Sequence, residues 1–210
     1  MAKTYPFDTF TERYEKWFDK HKYVYLSEVN ALKKVFPMGK ALEVGVGTGR
    51  FSIPLNIKFG VEPSISMGKI ARDRGIFVVR GIAEALPIKT SSFDTVLFVT
   101  TICFVDDLEK SFKEAHRVLN SGGYIVLGFI DKDTFLGRYY LTHKEENPFY
   151  REATFYSTKE VINLLKKTGF HIEKIVQTVF DLLSEIKNIQ PVKDGYGEGA
   201  FVVIKARKAP

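Results

Sequence analysis

Apolar residues in the first part of the chain recur at helical spacing. Phe7, Phe10, Tyr14, Trp17 and Phe18 fall on one face of a helix over residues 7–18. Tyr25, Val29, Leu32 and Phe36 follow at intervals of four, three and four, and Pro37 and Gly39 are expected to end that second helix. Beyond Lys40 the rhythm shortens to runs of buried, often β-branched residues. These predict strands at 40–45, 56–62, 76–79, 94–100 and 124–130. Ser64 reads as the N-cap of a helix that stops at Gly75. Residues 107–119 form an amphipathic pattern, with Leu108, Phe112, Ala115 and Leu119 on one side, that Ser121-Gly-Gly123 should terminate.

Strands alternating with helices predict parallel βαβ units. The C-terminal part departs from the rule. Ser157-Thr-Lys-Glu160 is a capping box opening a helix that closes at Gly169, and a strand follows from Ile172 to Phe180. A polar return through Pro191, Gly195, Gly197 and Gly199 leads to a last strand, Ala200 to Ala206. With no crossover helix between them, these two strands should pair antiparallel. The expected fold is α/β: a Rossmann-like, doubly wound sheet of about seven strands, mostly parallel with an antiparallel last strand, under an N-terminal helical cap (residues 1–38). Residues 131–156 do not fit the alternation. They carry Phe135, Tyr139, Tyr140, Phe149, Tyr150 and Phe155 and follow the C-terminal end of a strand, where open α/β sheets bind ligands, so they are expected to form a lid. No repeat or low-complexity linker divides the 210 residues, and one domain is expected.

Composition narrows the class without changing the fold. Apolar residues make up 45% and charged residues 27%, as in ordinary globular proteins, and no run approaches a membrane span. The N-terminus mixes charge with aromatics and does not read as a signal peptide. The lone Cys103 excludes an intramolecular disulfide and a cysteine metal cluster, which makes the cytoplasm the default location. The net charge of +6 admits a nucleic-acid partner, but the lysines are spread along the whole chain. Nothing in the sequence specifies an oligomeric state.

The chemistry concentrates in Leu42-Glu-Val-Gly-Val-Gly-Thr-Gly-Arg50. Glycines at 45, 47 and 49 directly follow a strand and would let a ligand approach the backbone. A dinucleotide fingerprint would need a third glycine three positions after Gly47, where Arg50 stands. No Gly-Lys-Ser/Thr follows, which excludes a P-loop. An acidic residue, Glu43, two positions before Gly-x-Gly-x-Gly remains. A second acidic residue, Glu62 in Gly60-Val-Glu-Pro-Ser64, lies 19 positions on, one βαβ step. Then come Arg80-Gly-Ile-Ala-Glu-Ala-Leu-Pro87, Ser92-Phe-Asp-Thr-Val-Leu-Phe-Val-Thr-Thr101 and Glu114-Ala-His-Arg-Val-Leu-Asn-Ser-Gly-Gly123.

In this order the five segments resemble the motifs of class I S-adenosylmethionine-dependent methyltransferases, closest to the small-molecule group that includes the ubiquinone and menaquinone methylases. The resemblance covers nearly the whole chain. It implies S-adenosylmethionine as cofactor, with Glu62 on the ribose hydroxyls, and with Pro63, Ser64 and Met67 beside the adenine. Gly81, Ile82, Ala83 and Glu84 belong to the third motif, in which Ile82 replaces the aspartate that usually accepts from the adenine amine. Glu43, the backbone of Gly45, Gly47 and Gly49, and Arg50 would serve the cofactor's ammonium and carboxylate. Thr100 stands at the mouth of the central strand, and Tyr14 would close over the cofactor.

The implied reaction is an in-line displacement of methyl from a sulfonium, whose main demand is alignment and exclusion of water. Relatives often carry a His-His pair after the fourth strand; Cys103-Phe104 stands there instead, leaving an apolar wall. His116, within a motif helix, reads as structural, and His143 in the aromatic insertion is the candidate catalytic base. The aromatic cap and lid favour a small, partly apolar acceptor. A nucleic-acid methyltransferase and a non-catalytic cofactor-binding module are the alternatives, and an oxidoreductase is disfavoured by Arg50.

Overall fold

The computed structural model describes residues 3–209, so the first two residues of the expected cap and residue 210 lie outside it. Its centre is one sheet of β1 (Ala41–Val44), β2 (Phe59–Val61), β3 (Phe77–Val79), β4 (Phe93–Val99), β5 (Leu119–Ile130), β6 (Phe170–Thr178), β7 (Lys193–Asp194) and β8 (Phe201–Lys208), in the spatial order β3-β2-β1-β4-β5-β8-β6-β7. Strands β1 to β5 pair parallel, whereas β8 runs antiparallel to both β5 and β6. The Rossmann-like expectation holds. The additional strand is the two-residue β7, which lies in the polar return and pairs with Val176 and Gln177.

Because the order runs 3-2-1-4-5, the chain leaves β1 in one direction and reaches β4 in the other. That reversal opens a crevice at the C-terminal ends of β1 and β4, the place where such sheets bind ligands. Both faces of the sheet are covered. On β4, Val96 and Phe98 enter the core with Phe112 and Leu165, while Leu97 and Val99 enter the opposite core with Leu32 and Phe201. This two-sided burial explains why β4 reads as one apolar run rather than an alternation.

The helices follow from their caps. The Ser64 hydroxyl accepts from the Met67 N–H (3.2 Å) to start α4 (Ile65–Asp73). Asp107 caps α5 (Leu108–Val118), and the capping box Ser157–Glu160 is formed at α7 (Thr158–Lys167). Two boundaries differ from the sequence reading. The helix α5 ends at Val118, and β5 begins at Leu119, whose extended backbone pairs it with Phe93. The two glycines therefore lie inside a strand with a register shift rather than ending the helix. The N-terminal helix is broken at Phe10 (φ −115°, ψ 31°) into α1 (Tyr5–Thr9) and α2 (Thr11–Lys20). The break lets α1 turn onto α4, where the Asp8 carboxylate accepts from the Ser64 hydroxyl (2.6 Å) and the Ser66 N–H (3.1 Å). Helix α3 (Lys22–Val35) then packs on the sheet beside β6 and β8. In the insertion, α6 (Phe135–Thr142) is followed by a 3₁₀ turn at Lys144–Glu146. Among the described residues no helix is long and apolar enough to cross a membrane.

Candidate active site

The crevice at the strand ends is a cleft of about 160 Å³. Its floor is Val44, Gly45 and Gly47, one side carries Glu62, Pro63 and Met67, and Gly81, Ile82, Ala83 and Glu84 form the far end. Tyr14 and Phe7 from the cap cover it, and Thr100 and Phe104 close the side toward β4. The backbone fixes the loop's shape. Gly45 has φ +70°, and a Cβ there would collide with the Thr101 side chain; Gly47, at φ +54°, would push a Cβ to 3.3 Å from the Tyr14 hydroxyl.

Glu62 is the polar centre. One oxygen accepts from the Gly47 N–H (2.7 Å), the other from the Ser64 N–H (2.9 Å). Each oxygen keeps a further lone pair. Burial pushes this carboxyl up, the two N–H donors pull it down and the Asp8 charge adds to the rise, leaving it at about 7. Glu43 stands behind the loop rather than in the cleft. It is buried and accepts from the Ser52 hydroxyl, and burial raises it to about 8 against that hydrogen bond, with the Glu62 charge adding to the rise. Burial and the charges of Glu43 and Glu62 also push the Tyr14 hydroxyl upward. Glu62 thus offers free lone pairs to sugar hydroxyls, and a cationic ligand beside it would favour its ionised form.

Of the residues singled out from sequence, Gly49, Arg50 and Ser64 also lie outside the cleft wall. A Cβ on Gly49 would strike Ile76, so this glycine permits packing against α4 and β3. Arg50 is turned to the cap, where its guanidinium donates to Glu15 (2.6 Å) and lies 5.1 Å over the Phe18 ring. Ser64 is engaged by Asp8 and by its own helix. His143 is half-buried, stacks on Tyr139 at 4.2 Å and lines neither cavity of the site. His116 packs edge-on against Phe170. Burial holds the Cys103 thiol up at about 12, so it is no thiolate.

Two features were missed in the sequence. Glu15 accepts from Arg50, Arg74 and the Thr48 hydroxyl, fastening α2 to the glycine loop and to α4. Burial pushes its carboxyl up, but these hydrogen bonds outweigh that and hold it at about 2. No local pattern marks this group, whose members come from three segments. The second is a chamber of about 210 Å³ that adjoins the cleft and shares Phe7, Tyr14, Thr100 and Phe104 with it. Its walls come from α2, α3, β5 and the insertion, and include Trp17, Ile130, Leu136, Tyr140 and Phe149. Phe149 joins the insertion to the cap, 5.4 Å from Phe7 and 6.3 Å from Tyr14. At the junction, Thr100 is held at φ +51°, a conformation that a β-branched residue rarely adopts.

The methyltransferase-domain family model matches residues 42–127, which span the glycine loop through β5. A crystal structure of a S-adenosylmethionine-dependent methyltransferase from Thermotoga maritima, described as a possible histamine N-methyltransferase, superposes with a TM-score of 0.96. It is 54% identical, with 98% of this chain and 99% of that one covered. The chain belongs to the S-adenosylmethionine-dependent methyltransferases. An uncharacterised protein of Methanocaldococcus jannaschii is 48% identical over 96% of this methyltransferase and 98% of its own length. The demethylmenaquinone methyltransferase of Roseiflexus castenholzii is 36% identical over 41% of each chain. The cofactor is therefore S-adenosylmethionine. The glycine-floored cleft, with acceptor lone pairs on Glu62, has the chemistry to receive its ribose hydroxyls.

Proposed function

We propose that this methyltransferase methylates a small, partly apolar acceptor held in the aromatic chamber. The observation that carries the reading is the junction: a second cavity, walled mainly by rings and aliphatic side chains, adjoins the cofactor cleft and shares Phe7, Tyr14, Thr100 and Phe104 with it.

In this reading Glu62 holds the ribose hydroxyls, and the backbone of Gly45 and Gly47 faces the amino-acid end. Pro63, Met67 and the segment Gly81–Glu84 enclose the adenine, and Tyr14 covers the cofactor. Glu43, Gly49, Arg50 and Ser64 act one layer back by fixing the loop, the cap and α4. The bound cofactor supplies a methyl electrophile on sulfur. The protein's own task is to align the acceptor and exclude water, for which the Phe7, Tyr14 and Phe149 cluster closes the cap against the insertion. Among the four residues at the junction, Tyr14 alone is ionisable, and its raised pKa makes it a poor base near neutrality. That favours an acceptor whose attacking atom already carries a free lone pair.

The test is to incubate the protein with methyl-labelled S-adenosylmethionine and panels of small aromatic compounds, and in parallel with bulk RNA and DNA. Label transfer to a small compound, with matching release of S-adenosylhomocysteine, is the expected result. Transfer to nucleic acid alone overturns the reading. Cofactor binding without transfer to any class points to a sensing module.

A further inference from the structure

Helix α3 places one carboxylate on its apolar face. Glu28 lies three residues after Tyr25 and four before Leu32, both of which pack in the core, yet it lines the aromatic chamber. Its residue is only 4% exposed. Among the described residues nothing hydrogen-bonds or ion-pairs with it. Arg13 borders the same chamber, but it is exposed and makes no ion pair with Glu28. A buried carboxyl without a partner is costly, and an apolar residue here would serve the fold better. The cavity into which it faces offers ring walls from Tyr14, Trp17, Phe18, Tyr140 and Phe149. A carboxylate among aromatic faces is the environment that selects an organic cation. Glu28 is absent from the cofactor cleft and from the junction, so whatever it holds lies away from the reacting end.

We propose that Glu28 anchors a cationic nitrogen of the acceptor, so that the chamber selects arylalkylamine-type molecules over neutral ones of the same shape. This rests on the reading of the chamber as the acceptor site. Glu28 is a specificity-determining residue here: it positions the acceptor and takes no proton from the attacking atom. Burial alone holds its carboxyl at about 8, which leaves it neutral in the free protein near pH 7; a bound cation would favour its ionised form.

Trp17, the only tryptophan of the chain, lines the chamber and reports its occupancy by fluorescence. The protein, saturated with S-adenosylhomocysteine, is titrated with 2-phenylethylamine and with its neutral isostere 2-phenylethanol. The wild type is expected to bind the amine at least ~10-fold more tightly, a difference of ~1.4 kcal/mol. Glu28→Gln should bring the two within about twofold while leaving S-adenosylhomocysteine affinity unchanged, and Glu28→Asp should restore part of the preference. Equal binding of both compounds by the wild type, or an undiminished preference in Glu28→Gln, overturns the assignment of Glu28 but leaves the chamber as acceptor site. If neither compound perturbs Trp17 in the wild type, the chamber reading itself falls, and the Glu28 assignment with it.

Discussion

The cleft around Glu62 and the adjoining aromatic chamber share a wall but are built differently. The cleft is lined mostly by the ends of β1, β2, β3 and β4 and the segments that follow them, with Phe7 and Tyr14 over them. Its one central carboxylate, Glu62, is held by two N–H groups. The chamber draws side chains from α2, α3, β5 and residues 136–150, and its carboxylate, Glu28, has no hydrogen-bond partner among the described residues. A site floored by backbone at a topological switch point tolerates little change, because each atom is fixed by the sheet. A site walled by side chains on a cap and an insertion can be retuned residue by residue. The same fold can therefore keep its cofactor while changing its acceptor.

That contrast predicts unequal sensitivity to mutation. The largest effect should come from Glu62→Ala, which removes the polar centre of the cleft: affinity for S-adenosylmethionine is expected to fall about 100-fold (~3 kcal/mol) in calorimetric titration, with the fold retained. An unchanged affinity would remove Glu62 from the cofactor site. Next is Glu15→Gln, which takes the common acceptor from Arg50, Arg74 and Thr48. We expect α2 to open more readily, by roughly 1–3 kcal/mol, in hydrogen exchange, while amides of β1 and β4 keep their protection. Uniform loss of protection would show instead that Glu15 supports the whole domain.

A third prediction compares the two carboxyls through pH. Glu28 and Glu43 both sit at about 8 in the folded chain, against an ordinary value of 4.5. Between those values the folded state binds protons that the unfolded state has released. Their contribution to stability is then full below about 4.5, declines as pH rises and is gone above about 8. Glu28→Gln should flatten part of that decline and raise the melting temperature at pH 8 relative to wild type. A stability that climbs over the same interval would contradict the burial of these groups. The smallest effect is expected of His143→Ala. Because His143 lies outside both cavities, cofactor affinity and methyl transfer should stay within about twofold of wild type.

How much could be read in advance follows the same division. The glycine loop, Glu62 and the segment Gly81–Glu84 were legible because each occupies a fixed offset from a strand end, and the sheet converts that offset directly into position. Gly49 and Arg50 belong to the same motif yet face away from the cleft, since a loop turns successive residues in different directions and only packing against Ile76 and Glu15 decides which way. Glu28 left a trace in the sequence as a charge on an apolar helical stripe, but nothing local said that the stripe borders a cavity.

The sequence by itself determined the order of strands and helices, the caps at Ser64 and Ser157, the antiparallel final strand and the family. All of these rest on periodicity and on motifs within a few residues of each other. Only the tertiary structure decided that the N-terminal helix breaks at Phe10, that Glu15 fastens the cap to the loop, and that α3 and the insertion enclose a chamber with Glu28 in its wall. Those features join residues far apart in the chain, and their geometry exists only once the sheet has brought the segments together.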